Sequence, residues 1–306
     1  MDILKYNNDL IPNPVGLNNF GNTCYLNSLL QCLLSCSSFN SIFINQNNNN
    51  HNNNSQNNSQ NNNELFISYK NFLQQILNNN YSSSLSYHVY RNLILGANKR
   101  KDTVKFMSEN QQDAQEGFLL LIDILNNKAL ERLFNYRNHI KMKCNLCNNW
   151  CLDKYEENLI MIINPEYETD KNIKNINEFL ISHVDEIDEN HRCDICKKKS
   201  SKTKITNLVM IPEILCISVN KYIRKYNTKL PNQLEFLYKS KNKKLIYMLV
   251  AQSEHYGSMG GGHYNAIVLR KNQAYLCDDM CVNTTVMGTT LNTYICFYHY
   301  FDIVDV

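Results

Sequence analysis

Two C-x2-C knuckles constrain this chain more than any other feature. They are Cys144 with Cys147 in "KCNLCNN" and Cys193 with Cys196 in "RCDICKK", with residues 148 to 192 between them. Four thiols in this pattern make the tetrahedral sulfur set of a structural Zn2+. A chain that closes such a set must fold back until both knuckles meet. The gap exceeds the loop of an ordinary zinc ribbon, so strands of one β-arm are expected to carry the pairs together. Cys151 lies near the first pair at a poorer spacing. Four thiolates leave no open position, so the expected metal is structural and not catalytic.

The chain has twelve cysteines and opens "MDILKYNNDL", with acids among its apolar residues and no signal-like run. That combination favours metal-binding or catalytic thiols over disulfides and an intracellular setting, cytoplasm and/or nucleus. No apolar run reaches the length of a membrane span, so no membrane partner is expected. A formal charge of +3, with no basic stripe, argues against nucleic acid.

The order of elements sets the fold class. "ELFISYKNFLQQIL" (64–77) and "NQQDAQEGFLLLIDIL" (110–125) carry apolar residues at helical spacing, and the first half reads as mostly α. From about residue 140, β-branched and aromatic runs predict strands over 158–163, 213–219, 244–253, 263–269, 274–279 and 293–301. Helices first and strands later, without βαβ alternation, predict α+β with an antiparallel sheet. The asparagine-rich tract over 45–63 has no apolar face to bury and reads as a disordered surface insertion.

The first candidate for chemistry is Cys24, in "NNFGNTCYLNSLLQCLL" (18–34). Leu26, Leu29, Leu30, Leu33 and Leu34 mark one helical face, with Gly21 for a turn and Asn22 and Thr23 as cap candidates. Cys24 therefore falls in a first helical turn, where backbone N–H groups and the dipole favour a thiolate and are expected to lower the thiol pKa. A buried structural cysteine is the competing reading. Far along the chain, "HYGSMGGGHYNAIVL" (255–269) sets His263 after three glycines, at the start of an alternating strand. Asp278 and Asp279 end the next strand, and antiparallel pairing could bring an acid beside His263. His255 is the competing base. A cysteine early with a histidine and an acid late is the order of a papain-like cysteine hydrolase.

Together these motifs resemble the ubiquitin-specific protease family of deubiquitinating enzymes. "GLNNFGNTCYLNSLLQCLL" resembles its Cys box, and "GGGHYNAIV" with "YLCDDMCV" its His box. "QQDAQEGFLLLIDIL" is similar to its glutamine–aspartate helix, and "YEENLIMI", "IPEILCISVNKY", "LPNQLEF" and "TYICFYHYF" to its strands. The resemblance runs from about Val15 to Phe301. It implies a single catalytic domain over 1–306. A helical thumb would span about 15–140, holding the insertion, and zinc-binding β fingers and an antiparallel β palm about 141–306. It also implies Cys24 as nucleophile, His263 as base and then acid, and Asp278 as the orienting group. Asp279 is the alternative orienting acid, and Asn19 an oxyanion donor. Asp113 and Tyr264 are expected along the channel for ubiquitin's Gly-Gly tail. Ubiquitin and ubiquitinated proteins are the implied partners, and a monomer is expected.

Gly117 stands where the family usually has an aromatic, and the Trp and Phe usual before the His-box acid are missing. Two alternatives stay open: a protease for another modifier ending in Gly-Gly, and a non-catalytic ubiquitin-binding adaptor.

Overall fold

The computed structural model describes residues 7–45, 63–82, 84–99, 111–163, 180–187, 192–220, 230–238, 242–258 and 261–305. Among these, six α-helices come first: α1 (Cys24–Leu34), α2 (Ser37–Asn45), α3 (Glu64–Leu77), α4 (Leu85–Asn98), α5 (Ala114–Leu125) and α6 (Lys128–Phe134). Most of the asparagine tract lies outside the described residues, but its two ends belong to helices. Asn45 closes α2, and Asn63 caps α3 by accepting from the N–H groups of Leu65 and Phe66 at 3.0 and 3.2 Å.

Among the described residues, twelve strands follow in two sheets. The smaller holds β1 (Tyr136–Cys144), β2 (Trp150–Asn158), β4 (Ser182–Ile187) and β5 (Lys202–Met210), in the order β2-β1-β5-β4. The larger is built from β3 (Met161–Ile163), β6 (Ile214–Val219), β7 (Gln233–Tyr238), β8 (Lys243–Ser258), β9 (Gly261–Arg270), β10 (Gln273–Asp278), β11 (Cys281–Thr285) and β12 (Thr293–Asp305). Its order is β11-β10-β9-β8-β12-β6-β3, with β7 added beside β8. Each of these pairings is antiparallel except β3 with β6. This is the α+β arrangement that the order of patterns predicts.

The large sheet is covered on both faces. Along β12, Ile295 and Phe297 enter the core shared with the helices, while Cys296, Tyr298 and Tyr300 enter a second core with Leu234, Phe236 and Tyr247. Successive side chains point to opposite faces, so a strand buried twice reads as the unbroken apolar run of "ILCISV" in β6. The small sheet has little core. The residues of β2 and β4 are all exposed or half-exposed, and the Cys knuckles lie at its far end, after β1 and before β5.

α1 lies against β8, β9 and β10, and all of its residues are buried. The sequence predicts one apolar face, yet the other face is buried as well. Its polar groups need partners inside the protein. Asn27 Nδ2 donates to Asn18 O at 3.1 Å, Ser28 and Ser253 share a 2.8 Å hydroxyl bond, and Gln31 Nε2 donates to Val15 O at 2.6 Å. Gly117 is explained here. A Cβ on it would meet the Tyr25 ring at 3.0 Å and Leu29 at 3.3 Å, so the glycine lets α5 close on α1. The departure from the family's aromatic is a packing choice of this chain, and it offsets the weaker helix propensity.

No helix among the described residues is long and apolar enough to cross a membrane.

Candidate active site

The turn before α1 uses two successive left-handed residues, Gly21 (φ 92°) and Asn22 (φ 55°). Asn19 organises it: its Oδ1 accepts from the N–H groups of Gly21 and Thr23, both at 3.1 Å. Thr23 takes the N-cap position without capping through its side chain, and its hydroxyl accepts from Phe20 N–H at 2.9 Å instead. Cys24 then opens the helix, 2% exposed.

Its thiol does not have the lowered pKa that the helix N-terminus predicts. Burial pushes the thiol up, and the Asp279 carboxylate adds to the rise. Backbone hydrogen bonds from Tyr264, Tyr25 and Cys24 itself pull the other way without prevailing. Desolvation of a thiolate outweighs one helix end. The helix that Cys24 opens packs against β9, the strand that carries His263.

His263 sits on β9 and Asp278 at the end of β10, and these strands pair in register from Gln273↔Arg270 to Cys277↔Ala266. The pairing brings His263 Nε2 to 2.5 Å from Asp278 Oδ1, with the two side chains 44% and 43% exposed. A carboxylate accepts, so Nε2 is the donor of this bond and Nδ1 is the nitrogen turned away from Asp278. Asp279 does something different. It follows in a left-handed turn (φ 47°), and its carboxylate accepts from Asn19 Nδ2 at 2.8 Å and from Asn27 Nδ2 at 2.7 Å. The backbone repeats the tie, with Leu17 N–H donating to Asp279 O at 2.8 Å. Of the two acids, Asp278 holds the histidine and Asp279 holds the asparagine.

Gly262, just before His263, serves close approach. A Cβ on Gly262 would fall inside contact distance of His255 Nε2 and Tyr256 O. His255 itself is buried, with its ring 4.4 Å from that of Tyr264. Tyr264 is likewise buried, between His255 and Tyr294. Asp113 caps α5, accepting from Gln115 and Glu116 N–H at 2.7 and 3.0 Å, while its other oxygen accepts from the Tyr294 hydroxyl at 2.6 Å. Gln111, two residues before it, bonds the backbone of Gly262, joining the α5 entrance to the start of β9.

At the tip of the small sheet, the sulfurs of Cys144, Cys147, Cys193 and Cys196 all lie within 4.8 Å of one another. Cys144 to Cys196 is 4.0 Å and Cys147 to Cys193 is 3.9 Å. A tetrahedral Zn–S bond of about 2.3 Å requires sulfurs roughly 3.8 Å apart, so the set fits that ion. The knuckles are built alike. Asn148 (φ 57°) follows the first and Lys197 (φ 58°) the second, each donating its N–H to the carbonyl of the leading cysteine at 2.9 Å. Backbone N–H groups of Leu146 and Cys147 bond Cys144, and those of Ile195 and Cys196 bond Cys193. Cys151 turns away, toward Met142 O at 3.4 Å.

Asn27, Ser28 and Gln31, whose hydrogen bonds hold the helix that carries Cys24, are residues that the sequence does not single out. The available signal is a run of polar side chains inside a helix otherwise apolar enough to be core.

A thiol at a helix start, a histidine–carboxylate pair on facing strands and a thiol-lined tip define a cysteine-hydrolase type of site on an α+β frame. The chain belongs to the ubiquitin carboxyl-terminal hydrolase family, whose sequence model matches residues 15–298. Ubiquitin carboxyl-terminal hydrolase 36 of Drosophila grimshawi is 27% identical over 319 residues, covering 92% of this chain and 25% of the relative. The probable ubiquitin carboxyl-terminal hydrolase 4 of Schizosaccharomyces pombe is 23% identical over 354 residues, covering 93% of this chain and 58% of the relative. The chain spans about a quarter of the first curated relatives it matches. Among solved structures, a chain of the SAGA DUB module (Ubp8, Sgf11, Sus1 and Sgf73) bound to monoubiquitin has a TM-score of 0.73 at 17% identity, covering 97% of this chain and 71% of that one. The same module bound to ubiquitin aldehyde gives 0.69 at 18% identity, covering 99% and 72%. The folds are therefore alike. Those structures are assemblies, and the monomer expected from the sequence gains no support from them.

Proposed function

We propose that this chain is a thiol-dependent deubiquitinase that hydrolyses the isopeptide bond after ubiquitin's C-terminal Gly-Gly. The observation that supports this most is the His263–Asp278 pair on facing strands, with His263 on the same strand, β9, against which the helix opened by Cys24 is packed. In this mechanism Asp278 keeps the proton on Nε2, so Nδ1 takes the proton of the Cys24 thiol. Burial raises that thiol's pKa, so the thiolate depends on His263 as the proton acceptor. Sulfur adds to the glycine carbonyl, and the carbonyl pair moves onto oxygen. Asn19 and backbone N–H groups around Cys24 donate to the oxyanion; one aimed donor contributes about 2.7–4 kcal/mol. The carbon–nitrogen bond then breaks as His263 returns its proton to the lysine amine. Water, deprotonated by His263, cleaves the thioester and restores Cys24.

Asp113 and Tyr264 belong to the wall of the tail channel in this reading. Cys144, Cys147, Cys193 and Cys196 hold a structural Zn2+ that ties β1 to the entry of β5, and the small sheet supports ubiquitin's globe. The cysteine-rich composition supports an intracellular location.

The test is reaction of the purified chain with ubiquitin carrying a thiol-reactive C-terminal electrophile, beside Cys24→Ala. A ubiquitin-sized adduct that vanishes in the variant is the expected result. A folded, zinc-loaded protein that forms no adduct with ubiquitin overturns the reading, and an adduct with another Gly-Gly modifier replaces it.

A further inference from the structure

The far end of α1 carries a second arrangement. Arg270 is the last residue of β9, the strand that carries His263 near its start, and it is 3% exposed. Its guanidinium reaches the end of α1 opposite Cys24. Nη2 donates to Gln31 O at 2.8 Å and to Gln31 Oε1 at 3.1 Å, and Nη1 donates to the Ser35 hydroxyl. Ser35 is the C-cap of α1, whose last turn has no basic residue of its own. Arg270 thus supplies from another element the positive charge that a helix C-terminus favours. Gln31 passes the connection on, because its Nε2 donates to Val15 O at 2.6 Å. Val15 begins the segment that runs through Leu17, bonded to Asp279, to Asn19.

A buried guanidinium is a costly way to fill space. Well-packed apolar residues in place of buried charges are often neutral or stabilising. What a forked donor does better is fix geometry, since its N–H groups meet several acceptors in one plane. Here the acceptors lie on the element that carries Cys24, the fork lies on the strand that carries His263, and the bridging amide holds the segment that carries Asn19.

We propose that Arg270 is a positioning residue. Through Gln31 and Ser35 it sets the placement of α1 against β9, and so aligns Cys24 and Asn19 with His263 from the opposite end of the same two elements. The inference rests on the deubiquitinase reading for its rate consequences. Misplacement by about 1 Å costs on the order of 10²-fold in a reaction that depends on alignment. In the reading above ubiquitin's globe rests on the small sheet, whereas β9 belongs to the large one, so binding should be left in place.

The experiment compares wild type, Arg270→Lys, Arg270→Met, Gln31→Met and the Arg270→Lys/Gln31→Met double variant. Active sites are counted with the ubiquitin electrophile. Two quantities are read: steady-state kcat and KM on a ubiquitin conjugate, and the pH midpoint of iodoacetamide alkylation at Cys24, followed by peptide mass spectrometry. Arg270→Lys keeps the charge and safeguards folding, but one ammonium cannot span three acceptors. The expected result is a fall in kcat per titrated site of about ten- to a hundredfold, with KM unchanged and the alkylation midpoint moved upward. Arg270→Lys and Gln31→Met should then be non-additive, because they break one connection. A merely structural arginine would lower thermal stability while leaving kcat per site and the alkylation midpoint at wild-type values, and that result overturns the proposal. If wild type hydrolyses no ubiquitin conjugate, the deubiquitinase reading falls, and the alkylation arm still decides the clamp. A midpoint that moves in Arg270→Lys sustains it, and one that stays overturns it.

Discussion

Replacing Asp279 by alanine removes one carboxylate that does two separable things. It accepts from Asn19 Nδ2 at 2.8 Å and Asn27 Nδ2 at 2.7 Å, and its charge helps raise the Cys24 pKa. Asn27 keeps its bond to Asn18 O at 3.1 Å, so the helix retains an anchor. Asn19 keeps the bonds to its Oδ1, and its amide N–H group loses the acceptor that aims it. Loss of an oxyanion donor costs about 10²–10³-fold in kcat, which sets the ceiling for loss of its aim. Stability should fall by about 1.5–3 kcal/mol, the usual range for a hydrogen bond to a charged group. The thiol responds in the opposite sense. Without the neighbouring negative charge its pKa drops, so alkylation of Cys24 at a fixed pH below the wild-type midpoint speeds up. Asp279→Asn should lose the charge effect fully and the positioning partly, because its own amide N–H group would face one of the two asparagine donors. The assay pairs ubiquitin–fluorophore turnover with iodoacetamide labelling of Cys24 across pH. Turnover reduced at least tenfold with faster labelling is expected. Turnover within threefold of wild type, or labelling that slows together with turnover, would refute the reasoning.

Asp278→Ala should lower kcat by about 10²-fold or more, because nothing then fixes the proton on Nε2. Asp278→Asn should lose less, since its carbonyl can still accept; equal losses in the two variants would show that the charge matters and the orientation does not. Cys193→Ser should take zinc from about one ion per chain to well below one, and should raise hydrogen exchange in β1 and β5 while α1 stays protected. Retention of zinc in that variant, measured by elemental analysis, would break the four-thiolate assignment. His299 is pushed down to about 4 by burial, below its ordinary 6.5. Its contribution to stability is therefore complete above pH 6.5 and is lost as pH falls toward 4, on the order of 3 kcal/mol in all. Denaturant midpoints for wild type minus His299→Gln should shrink between pH 7 and pH 5, and parallel curves would contradict this.

The fold is legible in the sequence wherever burial is one-sided or complete. The spacing predicts a helix over 64–77, and α3 runs over the same residues, because Leu65, Tyr69, Phe72, Leu73 and Ile76 face one core. β6 and β12 are visible as apolar runs because both faces of their sheet are covered. Strands β1, β2, β4 and β5 do not show in the pattern. They form a sheet with little core on either face, so residues such as His139, Lys141, Asp153 and Tyr155 pair with one another across strands instead of alternating apolar with polar. There is no hydrophobic period to find in such a sheet. Only the knuckles at its tip announce that an arm is present.

The site divides along the same line. Cys24 at a helix start and the His263–Asp278 pair are visible as candidates because chemistry restricts which residue types can fill the roles proposed for them. The direction of the Cys24 shift is what the sequence gets wrong. A helix N-terminus is a local feature and can be read from "NTCYL", whereas desolvation depends on everything that closes over the sulfur. In this chain that includes β9 and the Asp279 charge, both more than two hundred residues away in sequence. The partners of α1 are hidden for the same reason. Asn27, Ser28 and Gln31 look like the solvent side of an amphipathic helix, and a polar residue reads the same whether its hydrogen bond goes to water or to Asp279, Ser253 or Arg270. The decisive clue is available but quiet. A helix with charge-free polar residues on its second face, and no Lys, Arg, Asp or Glu anywhere from Cys24 to Leu34, has no group that demands water. Each amide or hydroxyl on that face can be satisfied by a single fixed partner, which is what a helix needs when both of its sides must be held to a fraction of an ångström.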